Sequence, residues 1–220
     1  MADQGERIPL ALNAAEQAAA DDFHAWYGPW QPLSPAEVAA ELDGFDRPWW
    51  VIGGWAIEAA SGYRREHEDL DISILSSDVA AFVEHLSGRW HVWNDVGGVL
   101  RPLGGRRPGV EEPRGQLWLR RNATSPWVLD LSITPAVDGR WSNKLVVGHV
   151  ADLDDVTWID EAGLRYLRPE IVLLFKAARR RAKDEADLAA TLPVLSPEGR
   201  AWLRSALTGI DLEHPWLARL

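Results

Sequence analysis

Apolar positions along the chain follow two periods, and the change from one to the other marks out the elements. AAEQAAADDFHAWYG, from Ala14, has helical composition, and Gly28-Pro29 closes it as a helix stop should. In LSPAEVAAELDGF, Ser34 is a natural N-cap, Pro35 suits the first helical position, Glu37 completes a capping box and Gly44 ends the run. A helix from about Pro35 to Leu42 is predicted. PWWVI, between Pro48 and Gly53, reads as a short buried strand, and WAIEAAS as a short helix ended by Gly62. DLDISIL alternates, with Asp69, Asp71 and Ser73 on one face and Leu70, Ile72 and Ile74 on the other, so it is predicted as a strand with one apolar face. SSDVAAFVEHLSG follows as a helix capped by Ser76 or Ser77 and ended by Gly88. WHVWNDV, GQLWLRRN, WVLDLSIT and KLVVGHV read as further strands, and the Gly/Pro/Arg-rich segment from Gly97 to Gly115 as a hairpin connection or mobile loop. From Arg168 the texture turns helical, with no break predicted until Pro193, and SPEGRAWLRSAL opens with another Ser-Pro-Glu cap.

This pattern predicts a mixed α/β fold. An N-terminal helical segment, 1–47, packs on an α/β core, 48–165, and a helical region, 166–220, follows. There is no internal repeat and no low-complexity stretch.

Composition narrows the chemistry. The chain has no cysteine, so neither a thiolate nucleophile nor a thiolate metal site is available, and hydroxyl or hard-metal chemistry remains. A formal net charge of -10 argues against a general nucleic-acid binder, because affinity for a phosphate backbone needs an excess of lysine and arginine. A neutral or cationic small acceptor agrees better with that charge. The first residues lack a basic region followed by an apolar run, and no stretch approaches a membrane span, so a cytoplasmic protein is expected. Of the 13 tryptophans, most are expected as core or interface anchors and a few as a stacking wall in a pocket.

The candidate chemistry lies in GGWAIEAASGYRREHEDLDISIL, Gly53 to Leu75. Residues two apart in a strand face one way, roughly 6.6 Å apart, so Asp69 and Asp71 would present two carboxylates together. A divalent cation resolves their repulsion, and an all-oxygen donor set suits magnesium, which shares its coordination with substrate phosphates. Gly53-Gly54 lies between a strand and a helix, where backbone N–H groups approach a phosphate. Asp130, in mid-strand on the face of Val128 and Ser132, supplies a third carboxylate. Lys176 follows the apolar run IVLLF, where it could neutralise a triphosphate.

These motifs resemble the nucleotidyltransferase superfamily that includes DNA polymerase beta, and within it the aminoglycoside and lincosamide nucleotidyltransferases. The superfamily pattern of a Gly-Gly turn, a D-x-D strand and a later carboxylate is met in order by Gly53-Gly54, Asp69-Leu70-Asp71 and Asp130. The run through Arg65, His67 and Glu68 is similar to the longer motif of aminoglycoside adenylyltransferases, and YLRPEIVLLFKAARRRAKDEADL to a C-terminal helix of the group. The resemblance implies a nucleotidyltransferase-type mixed sheet flanked by helices. It further implies two Mg²⁺ ions on Asp69, Asp71 and Asp130, with Asp130 as metal ligand and general base or as ligand only. The nucleoside triphosphate, ATP, would meet Gly53, Gly54, Arg65, Lys176 and Lys183, and AMP would pass to a hydroxyl of a small acceptor. A surface pairing of Arg65 with Glu66 or Glu68, and of Lys183 with Asp187, is the alternative for those two cations, while His67 is expected to be packed or hydrogen-bonded. Two other functions share the motif: a toxin-like enzyme acting on tRNA or protein, and a non-catalytic nucleotide-binding relative. Intact Asp69, Asp71 and Asp130 speak against the second.

Overall fold

In the computed structural model, residues 7–9, 12–96, 99–103 and 115–220 are described. Helix α1, Ala14–Tyr27, is capped by the Asn13 side chain and stops at Gly28, whose φ of 88° suits glycine. Helix α2, Pro35–Glu41, has the predicted Ser34–Glu37 capping box. Strand β1, Trp49–Val51, leads into α3, Gly53–Ser61, which ends at a left-handed Gly62. Strand β2 is Asp71–Leu75 and α4 is Val79–Leu86. Then come β3, His91–Val96; β4, Val99–Pro102; β5, Gln116–Arg120; and β6, Leu129–Thr134. A three-stranded meander follows: β7, Ala136–Val137; β8, Arg140–Ser142; and β9, Val150–Ala151. The chain closes with α5, Leu153–Val156; β10, Thr157–Ile159; β11, Arg165–Leu167; α6, Pro169–Ala177; α7, Ala182–Thr191; and α8, Pro197–Ile210.

The main sheet has eight strands in the order β10-β11-β1-β2-β6-β5-β3-β4. Two pairings, β1 with β11 and β2 with β6, are parallel, and the rest are antiparallel. The central strands bury Ile72, Ile74, Leu117, Leu131 and Ile133 completely. Each such side chain contributes about 1.5–3 kcal/mol, which fixes the register: a slip of one residue would turn the apolar set outward. Helix α3 packs on α6 and α7, and α6 on α8, so the C-terminal helices rest on the strand–helix unit that carries the glycine pair.

Several expectations change in detail. β2 begins at Asp71, leaving Asp69 just outside the strand. Ser76 and Ser77 lie in a 3-10 turn ahead of α4 and neither caps it. KLVVGHV is mostly loop: the Asn143 side chain accepts from the backbone N–H groups of Leu145 and Val146, holding a turn where alternation alone suggested a strand. The helix predicted through Arg168–Pro193 breaks between α6 and α7, with Arg180 at a φ of 47°. Lys176 and Lys183, seven apart and so on one face of the unbroken helix predicted there, stand instead on separate helices. Within the segment predicted as a connection, 99–102 pair with β3, while 104–114 lie outside the described residues. The short strands β10 and β11 carry too few residues for alternation to show.

Candidate active site

β2 and β6 are neighbours in the centre of the sheet, and their parallel register sets Asp71 opposite Asp130. Both carboxylates lie on one face. Asp130 is 7% exposed; its Oδ2 accepts from Gln116 Nε2 at 3.1 Å, and its Oδ1 is buried with no hydrogen-bond partner. On β5, Trp118 stands beside Asp130 in register; its indole N–H falls outside close hydrogen-bond geometry but still pulls the carboxyl down against burial. Burial, then the Asp69 charge, lifts the Asp71 carboxyl to about 7 despite Lys176, Lys183 and Arg181. Burial, then Asp71 and Asp69, lifts Asp130 well above the usual carboxylate range. Two buried carboxylates facing each other are destabilised as a pair of anions. The face has the electrostatics of a cation site.

The glycine pair serves this face directly. Gly53 opens α3 with a φ of 64°, and a Cβ there would stand 2.2 Å from Asp71 Oδ2. Only glycine lets the Asp71 carboxylate lie against the positive end of α3. A Cβ on Gly54 would meet Arg65 Nη2 at 2.5 Å and His67 Nδ1 at 2.7 Å. So both close approaches that the glycines permit are to protein side chains.

The cations are tied into a buried network behind the face. Arg65 is 6% exposed and makes a bidentate pair with Asp187 at 2.9 and 2.9 Å. Lys176 pairs with Asp187 at 2.9 Å and Asp184 at 3.2 Å, and Arg181 donates to Asp184 at 2.9 Å. Lys183 pairs with Glu68. Thus neither surface partner considered for Arg65 holds its guanidinium by a side chain; its Nη1 donates to the Glu66 carbonyl at 2.9 Å. His67 bonds Glu58 at 2.8 Å and stacks on Trp55, the packed role expected of it.

Two cavities flank the carboxylates. One, of about 340 Å³, is lined by Gly53, Asp71, Gln116, Lys144, Lys176 and Arg181. The other, of about 620 Å³, reaches from α1 to Asp69 and Asp130, with Trp30, Trp118 and Arg181 in its walls. One is basic around a single carboxylate, and the other is aromatic and acidic.

Comparison with known proteins agrees with this arrangement. Residues 36–94 match the family model of the aminoglycoside-2''-adenylyltransferases. The crystal structure of ANT(2'')-Ia in complex with adenylyl-2''-tobramycin superposes with a TM-score of 0.50 at 18% identity, covering 79% of this chain and 94% of that one. The chain shares the fold of ANT(2'')-Ia, and the family match takes in Gly53, Gly54, Asp69 and Asp71. A solution structure of the antibiotic-resistance factor ANT(2'')-Ia gives a TM-score of 0.49 at 19% identity, covering 79% and 89% of the two chains. JHP933 from Helicobacter pylori gives 0.45 at 14%, covering 95% and 79%. The fold assignment rests on the first of the three. Comparison with curated protein sequences finds no match.

The carboxylate face suits a hard divalent cation in its donor chemistry: carboxylate oxygens only, one of them buried and unpartnered. Among the described residues, no three carboxylates or imidazoles already form a cage; Asp71 and Asp130 face each other, and the Asp69 charge bears on both. One residue beside the carboxylates escaped the sequence pattern. Lys144 leaves its stem exposed but donates from Nζ to Ser132 Oγ, beside the carboxylates, and burial pushes it down to about 8 against the pull of Asp130 and Asp71. A lysine in an apparent strand gives no such signal; the Asn143 turn that aims it is a tertiary feature.

Proposed function

We propose that the protein transfers the nucleoside monophosphate of ATP to a hydroxyl of a small, amine-bearing acceptor of the aminoglycoside or lincosamide kind. The observation that carries this reading is the in-register Asp71–Asp130 pair between a basic cavity and an acidic one. Support for the acceptor class comes from the family match over 36–94 and from the adenylyl-2''-tobramycin bound in the similar crystal structure.

In this reading Asp69, Asp71 and Asp130 hold two Mg²⁺ ions, which when bound supply charge stabilisation at the attacking and leaving oxygens. The triphosphate occupies the smaller cavity, where Lys144 and Arg181 neutralise it and Gly53 leaves the α3 N-terminus open. Lys176 and Arg65 act through Asp184 and Asp187, keeping α7 and Arg181 in place, and Lys183 contributes at the rim. The acceptor oxygen forms its bond to the α-phosphorus, the bond to the bridging oxygen breaks, and pyrophosphate leaves. Asp130 receives the hydroxyl proton, its unpartnered Oδ1 being the free acceptor. Functionally, 48–165 supply the carboxylate face, 166–220 the cation network, and 1–47 pack on that core at the acceptor cavity.

Incubation with each of the four α-labelled nucleoside triphosphates, Mg²⁺ and a panel of aminoglycosides, lincosamides, bulk tRNA and protein tests this. Label from ATP on a small molecule is expected. Label on tRNA or protein alone would leave the transfer chemistry and remove the acceptor class. Among the described residues no helix is long and apolar enough to cross a membrane.

A further inference from the structure

The larger cavity is built in part by a segment that the matched family region, 36–94, does not contain. Residues 29–33 run beside the entry to β6: Trp127 N donates to the Pro29 carbonyl at 3.0 Å, Gln31 N to the Trp127 carbonyl at 2.8 Å and Leu33 N to the Val128 carbonyl at 3.0 Å. Trp127 Nε1 donates to the Tyr27 carbonyl at 2.7 Å, fixing the end of α1. This strap holds α1 across the acidic face of the sheet. α1 itself has no buried side chain, yet its Phe23 sits edge-on to Trp118 at 5.5 Å, and Trp30 sits edge-on to the same ring at 5.3 Å. Phe23, Trp30 and Trp118 thus form one half-buried aromatic wall, ending at Asp130, the cross-strand neighbour of Trp118 on the same face.

The volume, about 620 Å³, is that of a small-molecule site. Its chemistry is divided. Indole and phenyl faces offer contact to an apolar or cationic surface, and Asp69 with Asp130 offers negative charge at the end where transfer would occur. A polyamine sugar satisfies the charge and meets the rings through its C–H faces, while a flat apolar face covers more of the wall. A molecule with one amine, one or more hydroxyls and a flat apolar face satisfies both.

We propose that Phe23, Trp30 and Trp118 are specificity-determining residues, and that the acceptor is a hydroxyl-bearing amine with an apolar ring face. This rests on the nucleotidyl-transfer reading for which end of the ligand reacts, and not for its binding. α1 and its strap set acceptor choice and leave the nucleotide site untouched.

Binding is therefore measured without turnover, by calorimetry on the full chain with Mg²⁺ and a non-hydrolysable ATP analogue. The probes are propranolol, an amino alcohol with a naphthyl face, and tobramycin, a polyamine without one. Propranolol is expected to bind at least 10-fold more weakly to Phe23→Ala and Trp30→Ala than to wild type, with the affinity for the nucleotide analogue changed less than 2-fold. Ala20→Trp, which fills the cavity from α1 without removing any packing, keeps the test valid if Trp30→Ala does not fold, and should abolish propranolol binding. Unchanged propranolol affinity in Phe23→Ala and Ala20→Trp overturns the proposal, as does tighter binding of tobramycin with no response to either substitution. If wild type binds propranolol through this wall but no labelled nucleotide is ever transferred, the transfer reading fails and the aromatic site stands.

Discussion

Asp71 at the first position of β2 lies directly opposite Asp130 on β6, and burial lifts both carboxyls above their ordinary range. Each ionised carboxylate is a cost to the fold that a bound cation or a proton removes. Asp71→Asn and Asp130→Asn should each lower turnover by at least 10³-fold, in line with the several kcal/mol that removing a metal clamp costs. Because the substitution also removes a like-charge contact, the metal-free melting temperature should stay level or rise by roughly 2–4 °C per kcal/mol relieved. Turnover beside thermal unfolding checks this. Near-wild-type turnover in either variant would falsify the assignment. By the same logic, excess chelator should weaken binding of a non-hydrolysable triphosphate at least 10-fold, since the bare carboxylates repel a polyanion.

Gly53→Ala places a Cβ 2.2 Å from Asp71 Oδ2 at a φ of 64°. Turning the carboxylate does not clear the contact, because Asp71 Cγ and Cβ also stand 3.1 and 3.2 Å from the added atom, and the Asp71 backbone is held by Ile52 N at 3.0 Å. Loss of about 1–3 kcal/mol in stability is expected, together with loss of activity beyond 10²-fold from displacement of the carboxylate. Gly28→Ala is the control. It has a comparable φ of 88° but nothing within 4 Å of the added Cβ, so it should cost stability and leave turnover intact.

The parts of the site legible in the sequence are those written in local patterns. Asp71 and Asp130 stand out as polar residues in alternating apolar strands, and the Ser34 and Ser196 caps announce their helices. What local pattern could not show is pairing across the chain. Asp184 and Asp187 read as surface acids of a charged helix, yet both are fully buried because Arg65, 122 residues before Asp187, reaches one of them. The same network explains why α6 and α7 are separate helices: Arg181 caps α7 through Asp184, which a continuous helix would not permit. Lys144 and the α1 wall are likewise products of tertiary contacts, from the Asn143 turn and the strap at 29–33.

Asp187 yields a prediction with a definite sign. Burial raises its carboxyl, but hydrogen bonds from Arg65 and the charges of Lys176 and Arg65 outweigh it, and the net shift is downward from 3.8. A carboxyl depressed in the folded state contributes stability above its unfolded value and loses it as the pH falls through the folded value. Wild type should therefore lose stability steeply below about pH 4. Asp187→Asn leaves Arg65 and Lys176 buried without their anion and should cost about 3–5 kcal/mol near neutrality. Its melting temperature should then fall less than that of wild type between pH 5 and pH 3. Parallel acid curves for the two proteins would show that the Arg65–Asp187 pair is not a source of stability.

Lys144 separates nucleotide binding from scaffold. The residue is exposed at the surface, while its ammonium is held on Ser132 beside Asp71 and Asp130 at the basic cavity. If that ammonium neutralises the triphosphate, Lys144→Met should raise the KM for ATP about 10-fold, the scale of one charge-assisted contact, and leave the acceptor KM within 2-fold. Lys144→Arg, keeping the charge at a similar reach, should recover much of the loss, and stability should shift by no more than about 0.5 kcal/mol in either variant. Steady-state kinetics with each substrate varied in turn, beside thermal unfolding, decides between roles. A rise in the acceptor KM alone would move Lys144 to the other side of the carboxylates, and equal kinetics in all three proteins would leave the phosphate side of the smaller cavity to Arg181.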